Sequence, residues 1–387
     1  MTLVEASWDD SRRAAYACGI ELEGESIPLG SGDRRILAHD VVTATSLPPF
    51  TTSAMDGWAV AGTGPWKVVG EVLAGQVWLE ELSSGHAVRI ATGSVIPVGT
   101  HGVLRREHGR LGGEGVLDGD VALGQDVRPA GEEARVGEVL VSAGMPMTPV
   151  HLGLAAAGGA DQLVVVRRPV AQLLILGDEL LDSGSAREGC VRDSLGPQIP
   201  AWLERMGVTT HSATRVEDTL AAHLGALAAV GDADLVVTTG GTAAGPVDHL
   251  HEAIADVGGQ LVVDSVAVRP GHPMLLARLD KRRWILGLPG NPQSAVVALL
   301  SLGGPLLARL FGQKFGVLDD VELAENVSAP ERETRLVLCT LHSGVVTPTA
   351  HLGSAMLRGL AASDGFAVIA PGGGAAGDLV RWLPLPR

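Results

Sequence analysis

VAQLLILGDEL, residues 170–180, sets seven residues with six apolar side chains directly before a turn of one glycine and two acids. A short apolar run bounded by turn residues reads as a strand buried on both faces, the kind found in a parallel sheet covered by helices. Working outward, the pattern repeats. Asp193 or Ser194 caps a helix through AWLERM (201–206), which Gly207 terminates. VTTHSATRV (208–216) reads as the next strand, EDTLAAHLGALAAV (217–230) as a helix and DLVVTT (234–239) as a third strand. The loop GGTAAGP (240–246) follows, with a helix starting near Asp248. LVVDSVAV (261–268), LLARL (275–279) and WILGL (284–288) give further strands, the last two joined by the charged hairpin DKRR (280–283), and a helix covers 294–302. Strands alternating with helices predict one α/β domain, ending near residue 312, whose mostly parallel sheet is covered on both faces.

The flanks differ. GWAV (57–60), WKVVGEV (66–72) and HAVRIA (86–91) are short β-like runs separated by Gly, Pro and Ser, after a helix around Ser11–Cys18. HLGLAAAGG (151–159) reads as a short helix before the strand LVVVRR (163–168). The tail from about 313 alternates short strands and turns, as a small β domain does.

Composition bounds the function. A chain of 387 residues exceeds one hydrophobic core and suggests roughly two to four domains. The formal charge of −15 argues against nucleic-acid and anionic-membrane partners, so an anionic substrate needs a local basic site. Cys18, Cys190 and Cys339 have neither metal-ligand spacing nor an even count, which favours a reducing, cytoplasmic setting over a disulfide framework. The first residues, with Glu5, Asp9 and Asp10, lack a signal-peptide pattern. Trp284 to Ala308 is uncharged, but Pro289, Asn291, Pro292, Gln293 and Pro305 interrupt it and argue against a membrane span.

Ligands of open α/β sheets bind beyond the carboxyl ends of the strands, and three loops fall there: GDEL (177–180), GGTAAGP and LPGNP (288–292). In LPGNP, proline presets φ, glycine admits close approach and the following helix offers N–H groups and a positive dipole end, the parts of an anion cradle. The blander account is a tight strand-to-helix turn. Asp178, Glu179 and Asp248 belong to the same sheet edge, with Arg269 and His272 around PGHP one strand away, a set suited to Mg2+ and phosphate. Singly, Asp248 is also a good helix cap and Glu179 an ordinary solvated turn residue. His249 and His251, two apart, do not face each other on a helix and read as surface residues. GxxxxGK[ST], GxGxxG and GxSxG patterns are all missing.

Eleven segments in one order carry a resemblance: LPPFTTSAMDGWAV (47–60), GEVLAGQ (70–76), IATGSVIPVGTHGVL (90–104), VRPAGEE (127–133), GEVLVSAGMPMTPVHLGLAAAGG (137–159), GDEL, DSLG (193–196), TGGTAAG (239–245), VRPGHP (268–273), GLPGNPQSA (287–295) and GSAMLRGLAASDGFAVI (353–369). Together they resemble the molybdopterin molybdenumtransferases, the MoeA family that includes the carboxy-terminal region of gephyrin. The resemblance implies a dimer-forming region from 1–41 and 135–168, an inserted β-rich domain over 42–134, a three-layer α/β molybdopterin-binding domain over 169–312 and a β barrel over 313–387, assembled as an elongated homodimer. It implies insertion of molybdate into adenylated molybdopterin, with hydrolysis of the adenylate, release of AMP and Mg2+ present, and other molybdenum-cofactor biosynthesis proteins as partners. It assigns catalysis to Glu179, Asp248, Asp56 and Thr92, the last two from the partner subunit, and the metal to Glu179 and Asp248. Ligand binding falls to Gly240, Gly241, Gly245, Arg269, His272, Pro289, Gly290, Asn291, Pro292 and Ser294.

The chain departs from the family pattern. Arg269 and His272 replace two lysines, Leu176 a threonine, Leu195 an asparagine, Ala243 a serine and Pro246 an acid, while Glu133 stands for aspartate. Those losses leave open a catalytically weakened paralogue that binds molybdopterin or acts as a scaffold, and an adenylyl-transfer enzyme on the related fold.

Overall fold

The computed structural model describes residues 2–243 and 248–386. The chain divides into two compact units, one formed by Met1–Glu25 with Val166–Arg387 and the other by Ser26–Val165.

In the first unit, Val170–Leu176 pairs in parallel with Leu235–Thr239, which pairs in parallel with Trp284–Leu288. Leu173, Leu235, Val236, Val237, Ile285 and Leu286 are fully buried, as strands covered on both faces require. The far side of the sheet is antiparallel: Leu275–Arg278 runs against both Trp284–Leu288 and Gln260–Arg269. In the hairpin between them, Asp280 Oδ1 accepts from the N–H groups of Arg282 and Arg283 at 2.8 and 3.0 Å.

The segment 208–216 is not one strand. Thr209–Thr210 and Thr214–Val216 both pair in parallel with Val170–Leu176, but Val170 faces Thr209 while Leu174 faces Thr214, so one extra residue bulges out. Gln172 Nε2 fills the gap by donating to Ser212 O at 2.9 Å.

Helices Leu195–Arg205, Leu220–Ala228 and Leu250–Asp256 cover this sheet together with Pro292–Leu310. Pro292–Leu310 takes in the later part of the uncharged stretch noted above, and 83% of its most apolar 18 residues are buried within the protein, so it is a core helix. A π-helical turn at Leu299–Gly303 interrupts it. Within that turn, the Ser301 hydroxyl accepts a buried 2.8 Å hydrogen bond from Trp8 Nε1, tying down the amino-terminal helix Trp8–Cys18.

Gln260–Arg269 joins two sheets. Its middle pairs with Leu275–Arg278, whereas Val268 and Arg269 pair in parallel with Thr334 and Arg335 of the carboxy-terminal region. There, Thr334–His342, Val345–Pro348, Asp320–Leu323, Leu379–Pro384 and Gly365–Ile369 form a ring closed by pairing of the first with the last, a five-stranded barrel. Closure removes the sheet edges and leaves a core including Leu323, Cys339, Val346, Ala367 and Ile369.

The second unit is β-rich. Gly57–Val60, Trp66–Val72, His86–Ile90 and Gly102–Arg105 belong to a six-stranded sheet around Trp58, Trp66, Leu104 and Leu117. A smaller cluster of Leu37, Val41, Met147, Leu163 and Val165 packs near the helix Pro149–Ala157.

Candidate active site

The three parallel strands each end in a loop at the same edge, and those loops line a cavity of ≈ 700 Å³. Glu179 lines it after the first strand, Gly240 and Gly241 after the second, and Gly290, Asn291 and Pro292 after the third. Asp248 lines it from the approach to helix Leu250–Asp256.

Backbone shape dictates the glycines. Gly240 and Gly241 have φ of 88° and 68°, and a Cβ on Gly241 would fall 2.7 Å from Leu176 Cδ1. At Gly177, φ is 132° and a Cβ would meet Glu179 Oε2 at 2.7 Å, so the Glu179 carboxylate folds back over that bare position. The turn is fixed from below by Arg215, which donates to Gly177 O at 3.0 Å and to Asp182 Oδ1 at 2.9 Å. Asp178 and Asp218 exchange backbone-to-carboxylate bonds of 3.1 and 3.4 Å, which brings Asp218 to the cavity as a further acid.

Asp193 caps its helix through Oδ1, which accepts from Leu195 N and Gly196 N at 2.9 Å each. Leu176 and Leu195, two departures from the family pattern, are both buried and both line the cavity, so its wall is apolar where hydroxyl and amide groups were expected. Ala355 and Leu357, from the segment preceding and opening a short helix of the carboxy-terminal region, close another side.

The LPGNP loop is less open to anions than its sequence implies. Pro292 has no N–H, and the N–H of Gln293 donates to Ser354 O at 2.9 Å. Ser294 is buried in the helix, 4% exposed, and neither it nor Pro289 lines the cavity.

Arg269 and His272 also lie off the large cavity. Because Gln260–Arg269 continues into the barrel, Arg269 pairs with Glu333 at 2.9 Å and lines a separate cavity of ≈ 220 Å³ with Arg335 and Gln293. His272 Nε2 lies 3.8 Å from Glu5 Oε1. Gly245 and Pro246 fall outside the described residues.

In the second unit, Asp56 Oδ1 accepts from Thr92 N at 2.7 Å and from Thr92 Oγ1 at 2.9 Å. Those two bonds, the backbone one first, hold the Asp56 carboxyl below its ordinary range. Asp56 lines a small cavity of that unit, ≈ 170 Å³, with Arg89 and Arg106.

Sequence reasoning missed Arg192, Asp218, Ala355 and Leu357 as lining residues and read Asp193 only as a cap. Asp218 had a usable signal, since it follows a strand ending at the same edge. The barrel residues had none in their local sequence.

An α/β domain with an acid-lined cavity at its carboxyl edge, joined to a closed barrel and accompanied by a β-rich unit, defines a multidomain protein of molybdenum cofactor biosynthesis once three matches to known families are added. Residues 6–159 match the "MoeA N-terminal region (domain I and II)", 172–309 the "Probable molybdopterin binding domain" and 320–385 the "MoeA C-terminal region (domain IV)". The molybdopterin molybdenumtransferase of Haemophilus influenzae is 34% identical over 299 residues, 75% of this chain and 74% of that protein. That of Bacillus subtilis is 28% identical over 381 residues, 92% of this chain and 88% of that protein. The chain belongs to the molybdopterin molybdenumtransferase, or MoeA, family of transferases. Its fold is similar to that of the molybdopterin biosynthesis moeA protein of Pyrococcus horikoshii OT3, with a TM-score of 0.82 at 22% identity over 98% of this chain and 99% of that one.

Proposed function

We propose that the ≈ 700 Å³ cavity binds adenylated molybdopterin and that the protein inserts molybdate into its dithiolene while hydrolysing the adenylate and releasing AMP. The observation that carries this reading is that Glu179 and Asp248, from different loops, face one cavity whose wall is partly apolar. A planar ring suits the apolar wall of Leu176 and Leu195, and the carboxylates suit proton transfer at a hydrolysed phosphoanhydride. Glu179 or Asp248 takes a proton from the attacking water, while the loops hold ligand and molybdate close against their mutual repulsion.

The donor set fits Mg2+. Glu179, Asp218 and Asp248 offer hard oxygen ligands, and Mg2+ is commonly held by one or two carboxylates plus phosphate and water. Among the described residues no three His, Cys, Asp or Glu side chains converge on one point, so ligand oxygens and water would complete the shell. Glu179 and Asp248 would hold the ion, which would neutralise phosphate oxygens.

The proposal includes the division into 1–41 with 135–168, 42–134, 169–312 and 313–387, and a homodimer in which Asp56 and Thr92 of one subunit complete the site of the other. Val42 and Val139, opposite each other in an antiparallel pair, and Val150 on the helix that follows are 48–78% accessible, and the proposal takes them as the self-association face.

AMP release from adenylated molybdopterin, with molybdate and Mg2+, is the test. Glu179→Gln and Asp248→Asn should each lower turnover by about a hundredfold or more, the range for loss of a general acid or base. Wild-type rates in either variant would remove that residue from the chemistry. Tight binding by the unmodified protein without release would favour the scaffolding paralogue, to which the apolar replacements at Leu176 and Leu195 also point.

A further inference from the structure

The charge of the large cavity is at odds with a phosphate-bearing ligand. Among its described lining residues, Glu179, Asp193, Asp218 and Asp248 are acids and Arg192 is the single base. Several backbone donors around the cavity are already taken. The N–H of Gly240 donates to Leu288 O at 2.8 Å, that of Gln293 to Ser354 O at 2.9 Å, and those of Leu195 and Gly196 to Asp193. A phosphate entering here meets four carboxylates, and the amides of Gly240 and Leu195 are already bonded. Apart from a bound cation, the counter-charge that the described lining offers is the side chain of Arg192.

Arg192 is placed and free to supply it. It ends the two-residue strand Val191–Arg192, which pairs in parallel with Leu180–Leu181. Val191 N–H donates to Glu179 O at 2.9 Å and Asp193 N–H to Leu181 O at 3.1 Å, so the Arg192 backbone is clamped beside the GDEL turn. Its side chain is exposed and makes one long bond, Nη1 to Leu181 O at 3.3 Å. A guanidinium carries five N–H donors in a planar fork that matches two phosphate oxygens. Most of that fork is unengaged among the described residues.

We propose that Arg192 is the specificity-determining residue of this cavity, taking the non-bridging oxygens of a phosphate ester or phosphoanhydride in a forked, charge-assisted contact. The assignment rests on the transferase reading only for which phosphorylated ligand is meant. Any ligand with a phosphate beside a flat heterocycle meets the same arrangement.

Titration calorimetry of the full-length protein with AMP and with adenosine, without divalent cations, separates phosphate recognition from ring recognition. The unmodified protein should bind AMP about tenfold or more tightly than adenosine, as one charge-assisted forked contact provides. Arg192→Gln should abolish that difference and leave adenosine affinity unchanged. Arg192→Lys should keep part of it, because a point charge remains without the fork. In the AMP-release assay, Arg192→Gln should raise KM by a similar factor with a smaller effect on kcat. Equal binding of AMP and adenosine by the unmodified protein would overturn the proposal, as would an undiminished AMP preference in Arg192→Gln or equal weakening of both ligands. Selective AMP binding without AMP release would count against the transferase reading and leave Arg192 in its role.

Discussion

Asp56 illustrates how one neighbour sets the chemistry of an exposed acid. Its carboxylate is stabilised first by the N–H of Thr92 and then by its hydroxyl, with Arg106 contributing at longer range. A carboxyl whose folded pKa lies below its unfolded value stabilises the fold above the unfolded value, and loses that contribution as pH falls through the folded one. Thr92→Val removes one donor and keeps the other, so the Asp56 titration should move up without reaching the value of a free carboxyl. Carboxylate carbon shifts followed against pH would show this, and an unmoved curve would deny the hydroxyl its part. At this scale the sequence was informative where backbone shape forces residue choice. Gly240 and Gly241, legible as a glycine turn after a strand, adopt the left-handed backbone that such a turn uses. Arg192 could not be assigned, since nothing in the segment preceding DSLG reveals that nearby amides are already bonded. Arg269 was misleading for a different reason: its position depends on which sheet the end of its strand joins.

The Val170–Leu176 strand is held at its base by a forked ion pair. Arg167 Nη1 and Nη2 donate to Asp234 Oδ2 and Oδ1, both at 2.7 Å, and Val170 N–H donates to the same carboxylate at 2.8 Å. Asp234 is 6% exposed, so Asp234→Ala would strand a partly buried guanidinium and a backbone N–H. The expected loss is about 2–4 kcal/mol, read as a lower denaturation midpoint at unchanged m-value. A change below about 0.5 kcal/mol, typical of a surface position, would show that the pair is solvated. Strand placement was legible where apolar runs were long and turns sharp, as at 170–176, 235–239 and 284–288. The bulge at 211–213 and the π turn at Leu299–Gly303 were not, because each depends on a partner far away in sequence: Gln172 for the first and Trp8 for the second.

On the scale of the molecule, the homodimer reading makes a hydrodynamic prediction. Sedimentation velocity should give twice the 39.8 kDa chain mass, and Val139→Glu with Val150→Glu should shift it toward the single chain. A single-chain mass for the unmodified protein at every concentration would end the shared-site arrangement. The β-rich character of both flanks could be read from turn spacing, but the joining of the barrel to the α/β sheet could not. That joint is the strand Gln260–Arg269, hydrogen-bonded to Leu275–Arg278 and then to Thr334 and Arg335, with Gln293 N–H bonded to Ser354 O nearby. A lid needs a hinge, and a strand common to both sheets is a splint: swinging the barrel outward would break ladder bonds in both. The wall that Ala355 and Leu357 give the cavity is therefore carried on the same frame as the loops it faces.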